Sequence, residues 1–299
     1  MSVIQCEELS KSYGKIKAID HLSFEIEENK ITGLIGRNGS GKTTLLKMIA
    51  GYLKPTSGDL KVFSEKPFNS LIGSANSIFI DDTMTFSDSF TLMDILTEVA
   101  PFYTNWNSSL ASGLFEYYSF NPKQQHGSLS KGSKSTFNSI LGIASRSPLT
   151  VLDEPTTGMD SAVRKDFYRA LLKDYLEYPR TIIISSHLLS ELEEILEDIL
   201  LLNQGAKCLH LPVLELKELA VGIKGNASAV LHFIEGKEVI LQEEFAKGNL
   251  YVVIRRMLIQ KQLEELKQSG LEILPVSTDE LCIYLTAKRG GIDDVFKRG

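Results

Sequence analysis

The run Gly36-Arg37-Asn38-Gly39-Ser40-Gly41-Lys42-Thr43 fits the pattern G-x-x-x-x-G-K-[ST] in full, and its residue types suit one task, the cradling of a chain of phosphates. Glycines let successive backbone N–H groups from Asn38 to Thr43 curl around a β-phosphate, and a helix starting behind the loop turns the positive end of its dipole to the same point. Lys42 reaches the β- and γ-phosphates as a point charge, and the Thr43 hydroxyl binds Mg²⁺. The candidate phosphate-binding residues are therefore Asn38, Gly39, Ser40, Gly41, Lys42, Thr43 and Thr44.

A second reactive pair, Asp153-Glu154, ends the apolar run Pro148-Leu149-Thr150-Val151-Leu152. Two carboxylates after a strand are by themselves a solvated strand end. Downstream of a phosphate loop they take on roles: Asp153 holds Mg²⁺ through water, and Glu154 orients and polarises an attacking water. The chemistry expected is Mg²⁺-dependent hydrolysis of ATP, with Lys42 and Glu154 among the catalytic groups.

These residues need elements to position them. Ile31 to Ile35 reads as a buried strand, Gly36 to Gly41 as a turn, and Lys42 to Ala50 as a helix stopped by Gly51. Leu149 to Leu152 and Thr181 to Ser185 read as further central strands, and Ser190 with Glu193 has capping-box spacing for a helix carrying Leu192, Ile195 and Leu196. Short apolar runs alternating with helical patterns imply an α/β domain with a largely parallel sheet. From about residue 82 to 134 the chain changes character: Phe86, Phe90, Phe102, Tyr103, Trp106, Phe115, Tyr117, Tyr118 and Phe120 crowd a segment with helical spacing and little strand character. It reads as a mostly helical insertion, its aromatic residues a small core in preference to a ligand cage.

Asn203-Gln204-Gly205 marks a hairpin turn, and a new block begins at about Leu211. There Val230 to Phe233, Glu238 to Glu243, Leu250 to Ile254 and Leu271 to Val276 read as strands, Met257 to Gln268 as a helix ended by Gly270, and Ser277 or Thr278 as the start of a short helix. The expected domains are residues 1–210 and 211–299, the second a small α+β domain without a motif.

Composition narrows the partners. With 299 residues, 43% of them hydrophobic and 23% charged, the chain is an ordinary globular protein, long enough for two domains of about 150 residues. Thirty-two basic against 38 acidic residues leave a net charge of -6, so no overall positive field argues for nucleic acid or anionic lipid. Cys6, Cys208 and Cys282 are odd in number and lack metal-ligand spacing, which fits a reducing compartment. No apolar run reaches the ~18 residues of a membrane span, and Met1 to Glu8 has no secretory pattern. The expected location is the cytoplasm, any membrane being supplied by another chain.

Over about residues 1 to 210 a set of ordered motifs resembles the nucleotide-binding subunit of ABC transporters. Tyr13, in Ser12-Tyr13-Gly14, stands where that family has an aromatic that stacks on adenine. Leu129-Ser130-Lys131-Gly132-Ser133 stands at the family signature. Glu154-Pro155-Thr156-Thr157-Gly158-Met159-Asp160 looks like the segment joining the catalytic carboxylate to the D-loop, and His187 falls at the family's switch histidine. The resemblance implies a P-loop NTPase of ABC type, α/β with a mixed sheet core and a helical insertion, followed here by the small α+β domain. It further implies ATP and Mg²⁺, and head-to-tail pairing with a second ATPase subunit, homodimer or heterodimer. Ser130 and Gly132 would face the γ-phosphate of the ATP held by that partner. An integral membrane transporter subunit would be moved through the helical insertion, placing the chain peripherally on the inner face of the cell membrane. No nucleic-acid partner is implied.

Two motifs depart from the family pattern. Where Leu-Ser-Gly-Gly-Gln is usual, Lys131 replaces the first glycine and Ser133 the glutamine; Lys131 either adds positive charge near the phosphates or points to solvent. At the Q-loop, Ile78-Phe79-Ile80-Asp81-Asp82 puts Asp82 in the place of the glutamine, as a contact to Mg²⁺ or water. The signature lysine and the C-terminal block together are similar to the exporter-type branch that serves antimicrobial-peptide and drug exporters. The function implied is an ATP-hydrolysing subunit that powers a separate transmembrane exporter. A soluble ABC-type ATPase and a weakly hydrolysing ATP-dependent regulatory module are the alternatives. The C-terminal block is either regulatory or dimer-stabilising, or a plain structural extension.

Overall fold

The chain opens with two long strands, β1 (Ser2–Tyr13) and β2 (Ile16–Glu27), which pair antiparallel in registers such as Ile4↔Ile26 and Cys6↔Phe24. After β3 (Ile31–Ile35) and α1 (Lys42–Ile49), β4 (Ser57–Val62) adds antiparallel to the other edge of β1. This antiparallel sheet, in the order β2-β1-β4, supplies the mixed character that the family resemblance implies and that the apolar runs alone, read as largely parallel, do not. Its buried residues Ile4, Cys6, Leu22, Phe24 and Ile26 follow a period of two, as a sheet with one face inward requires. They share one core with Leu45, Leu46, Met48 and Ile49 of α1 and with Leu149, Val151, Ile183 and Leu200 of the main sheet.

The computed structural model describes residues 1–255 and 270–287, and the chain divides into two units, Met1–His210 and Leu211–Gly299. In the first, β4 is followed by α2 (Leu71–Asn76), β5 (Ser77–Ile80), α3 (Leu92–Val99), α4 (Ser108–Tyr117), α5 (Lys131–Ala144), β6 (Leu149–Asp153), α6 (Ser161–Glu177), β7 (Thr181–Ser186), β8 (Asp198–Asn203) and β9 (Ala206–Pro212). The main sheet runs β5-β6-β7-β3-β8-β9, with parallel pairing from β5 through β8. β3, β6 and β7 are buried along their whole length, which is why each reads as a continuous apolar run. Their carboxyl ends lie side by side and carry the phosphate loop, the paired acids and His187.

The insertion is helical, as expected. A capping box of Thr91 and Asp94 opens α3 and Asn107 caps α4. Phe115, Phe120 and Phe137 pack with centroids 5.5–6.4 Å apart, and His126 lies against Phe86 and Phe137. Phe90, Phe102 and Tyr117 stay exposed, so the aromatic residues divide between a core and a surface.

The helix expected after Ser190 is absent. Ser190 to Ile195 forms a succession of turns, with bonds from Leu192 N–H and Glu193 N–H to Leu189 O and from Ile195 N–H to Leu192 O. Ser186 Oγ accepts from Leu188 N–H at the start of the segment and Glu197 N–H donates to Ile31 O at its end. Between those anchors Leu189, Leu192, Ile195 and Leu196 are all buried, which mixed three- and four-residue turns achieve in a short span. The hairpin at Gln204-Gly205 joins β8 to its neighbour β9.

The second unit contains α7 (Val213–Glu218), β10 (Ala220–Asn226), α8 (Ala227–Phe233), β11 (Val239–Ala246), β12 (Asn249–Arg255), β13 (Glu272–Leu274) and α9 (Thr278–Leu285). Its antiparallel sheet runs β11-β12-β10-β13. Val230 to Phe233 belongs to a helix instead of a strand: Asn226 caps it by accepting from Ser228 N–H, and Val230 and Ile234, one turn apart, enter the core. The reading omitted the inner strand β10, whose Gly222 and Gly225 dilute its apolar pattern. β13 stops at Leu274 because Pro275 has no N–H to donate, and α9 starts with the Ser277–Glu280 capping box. The helix expected over Met257 to Gln268 lies outside the described residues.

Candidate active site

The phosphate loop leaves β3 at Ile35 and enters α1 through Gly41, whose φ of 105° is open only to glycine. A Cβ there would also lie 2.4 Å from Ala18 O. No side chain caps α1 and no acid occupies its first turn, so the first-turn N–H groups face the cleft as an anion site. Lys42 is 6% exposed. Its Nζ donates to Gly36 O at 2.7 Å and to Arg37 O at 3.4 Å, and stands 3.4 Å from Glu154 Oε1.

The paired acids owe their places to the β6–β7 register, which sets Asp153 opposite Ser185. Ser185 Oγ donates to Asp153 Oδ1 at 2.5 Å and accepts from Glu154 N–H at 2.8 Å. One serine thus orients both acids, and sequence reasoning missed it; the available signal was a hydroxyl at the end of the apolar run Thr181 to Ile184. Burial pushes the Asp153 carboxyl up, against hydrogen bonds from Ser185 and Thr43 that pull it down. Glu154 has a φ of 48°, a strained conformation for a non-glycine residue. Its Oε2 accepts from His187 Nδ1 at 2.9 Å, and its Oε1 is buried with no hydrogen bond, facing Lys42.

A cleft of about 600 Å³ brings together Tyr13, Asn38, Gly39, Ser40, Gly41, Lys42, Thr43, Thr44, Asp82, Asp153, Glu154 and His187, and adds Lys17 and Thr157. Tyr13 stands at the mouth, 48% exposed, with Lys11 Nζ 5.3 Å from its ring centre. The oxygens of Thr43 and Asp153, with a buried and desolvated carboxyl among them, form a donor set that suits Mg²⁺.

Ser130 and Gly132 are not in this cleft. They line a second one, about 190 Å³, with Gly158, Met159 and Asp160. Ser130 caps α5 by accepting from Ser133 N–H at 3.2 Å, and Asp160 caps α6 by accepting from Ala162 N–H and Val163 N–H at 2.9 Å each. A Cβ on Gly132 would sit 2.2 Å from Gly158 O. Gly132→Ala must therefore push one backbone off the other, and we expect it to cost about 1–3 kcal/mol. Urea unfolding of the intact chain reads this, and an unchanged midpoint would show that the segment yields freely.

Of the residues that depart from the family pattern, Asp82 lines the phosphate cleft and Ser133 the second one. Lys131 Nζ is 3.2 Å from Asp82 Oδ2, so its charge is turned to this carboxylate. Asp81 takes another direction, pairing with Lys47 at 3.6 Å and accepting from Thr83.

Residues 19–157 match the ABC transporter family. The bacitracin transport ATP-binding protein BcrA of Bacillus licheniformis is 27% identical over 302 residues, spanning 99% of this chain and 96% of that protein. An uncharacterised ABC transporter ATP-binding protein of Methanocaldococcus jannaschii, MJ1023, is 30% identical over 214 residues, 69% of this chain and 76% of the relative. Among solved structures, the ATP-binding cassette MJ0796, in a dimeric post-hydrolysis state bound to ADP and Pi, superposes with a TM-score of 0.60 at 19% identity, over 70% of this chain and 98% of that one. The family match runs from β2 through the acids that end β6, and the archaeal likeness extends over most of both chains. The chain belongs to the ATP-binding subunits of ABC transporters, as an ATP hydrolase of that type.

Proposed function

We propose that this chain works as one half of a head-to-tail ATPase pair that drives a separate membrane-embedded exporter. The observation that carries the reading is the separation of the two clefts. The phosphate loop and its acids are complete in one cleft, while the start of α5, with Ser130 and Gly132, lines another. A second copy, or a related subunit, would bring its α5 N-terminus to the γ-phosphate bound here, where the helix dipole favours negative charge. Both clefts belong to the Met1–His210 unit, so the hydrolytic work falls to it.

On nucleotide binding Lys42 exchanges the carbonyls of Gly36 and Arg37 for phosphate oxygens, joined by the N–H groups from Asn38 to Thr44. Thr43 and Asp153 would hold Mg²⁺, which when bound neutralises phosphate charge. Glu154 takes the proton of the attacking water. His187 holds that carboxylate through Nδ1. Asp82 lies at the rim of the same cleft. Tyr13 stacks on the base with few hydrogen bonds, so GTP is tolerated to a degree. We expect Tyr13→Ala to weaken ATP binding by about 1–3 kcal/mol; an unchanged affinity would reduce Tyr13 to a strand-edge residue.

The membrane partner would dock on the insertion. A cleft of about 350 Å³ at its base is lined by Tyr52, Leu53, Phe79 and Met84 together with the polar Lys47, Asp81, Thr83 and Thr85, and nearby Tyr103 stacks on Trp106 while Phe102 is 77% exposed. Among the described residues no helix is long and apolar enough to cross a membrane, so a membrane attachment at the inner face would run through that partner. BcrA is named for bacitracin transport, which supports a cargo of that class; export as the direction is part of the proposal. The test is co-purification of an integral membrane protein with the tagged chain from native membranes, with cysteines placed along the insertion cross-linking to it. A chain that captures none and stays out of the membrane fraction would return the reading to a soluble ATPase.

A further inference from the structure

The two departures from the family pattern touch each other. Asp82 follows β5 at the start of the insertion and Lys131 is the first residue of α5, yet Lys131 Nζ and Asp82 Oδ2 are 3.2 Å apart. Both side chains are partly exposed, Lys131 at 62% and Asp82 at 47%, so the pair stands where the cleft meets solvent. Asp82 lines the phosphate cleft with Thr43, Asp153 and Glu154. A neutral side chain in its place adds no charge to that cleft. An aspartate adds a third carboxylate to a site that must accept a polyanion, and like charges at close range repel. Lys131 is the cation in contact with it.

We propose that Lys131 and Asp82 are a coupled pair of positioning residues, the lysine neutralising the aspartate so that the cleft of its own chain accepts nucleotide phosphates. The proposal rests on the ATP reading above. It gives each departure a reason in the other: the lysine is needed because the glutamine position is acidic. It also ties the start of α5, which a second copy would read, to the occupancy of the first copy's cleft. When phosphates arrive, Asp82 stays turned to Lys131 and away from them, and the signature keeps its register on Gly158.

The test is a double-mutant cycle on the full-length chain, diluted to the monomer, with a fluorescent non-hydrolysable ATP analogue and Mg²⁺. Lys131→Gly should raise the Kd about threefold to tenfold, as one uncompensated charge near the phosphates predicts. Asp82→Gln in that background should restore it, Lys131→Arg should preserve it, and the effect should fade at high salt, where exposed charges are screened. Circular dichroism and thermal unfolding of each variant confirm that the fold is kept. Additive effects, or a Lys131→Gly chain with unchanged monomer affinity, overturn the pair. A Lys131→Gly defect confined to ATP-driven pairing and not rescued by Asp82→Gln also overturns it, and assigns the lysine to the partner's phosphate. Failure of the wild-type chain to bind the analogue overturns the ATP reading, and the pair with it.

Discussion

Replacing Glu154 by glutamine is expected to cut ATP turnover by about 10²- to 10⁴-fold while nucleotide still binds, the range for loss of a positioned general base. Glutamine keeps the length of the side chain and an oxygen that can accept from His187 Nδ1, now 2.9 Å from Glu154 Oε2, so geometry is retained and basicity is lost. Binding should not suffer. The carboxylate stands 3.4 Å from Lys42 Nζ, and its removal frees that lysine for phosphate and takes one negative charge out of the cleft. A pair that closes on ATP would then stay closed, visible as a dimer on size exclusion in Mg²⁺ and ATP. Rapid-quench single-turnover kinetics separates the chemical step from release. Undiminished turnover would remove Glu154 from the base role, and loss of binding would mean that its work is structural.

The residues that do this chemistry were legible because a short stretch of chain dictates each of them. A loop with the φ of Gly41 and a cradle of N–H groups admits few sequences, and Asp153-Glu154 ends a strand whose burial on both faces is written as an unbroken apolar run. Ser185 was not legible in the same way. It looks like any serine at a strand end, and it acquires its task only when β7 pairs with β6 in the register Asp153↔Ser185. Lys131 is the same kind of case: solvent and phosphate were both open to it, and the approach of Asp82 across the fold decided its direction. In the elements, too, the failures were non-local. Val230 to Phe233 carries strand-like residues, but the cap at Asn226 and the core position of Val230 draw it into α8. Leu189 to Leu196 has helical spacing, but anchors at Ser186 and Glu197 divide it into turns.

The second large effect concerns the support of β6, and nothing in the sequence marks it. Asp174 on α6 is 4% exposed and Arg180, just before β7, is 2% exposed. Asp174 Oδ1 accepts from Arg146 Nε at 2.9 Å and Nη2 at 2.5 Å, and its Oδ2 is ion-paired with Arg180 Nη1 at 2.9 Å. Arg180 also donates to Ile143 O at the end of α5, to Tyr178 O, and to Thr150 Oγ1 on β6 itself. Burial pulls the Arg180 pKa down and Asp174 opposes that, so the carboxylate is what keeps a cation tolerable between α5, α6 and β6. Asp174→Ala leaves that cation buried and unpaired, which costs about 3–5 kcal/mol. In a unit of this size that lowers the thermal midpoint by roughly 10 °C or more. An apolar exchange of the two most buried members, Asp174→Leu with Arg180→Met, should recover part of the loss, because the penalty lies in the orphaned Arg180 charge more than in the missing pair, while Arg146, 18% exposed, can turn to solvent. Thermal and urea unfolding of the single and double variants decide the matter. Equal losses in both would assign the stability to the arginine's bonds with Ile143 and Tyr178, whereas a recovered double variant that still hydrolyses ATP would show that β6 needs this triad only as a prop for Asp153.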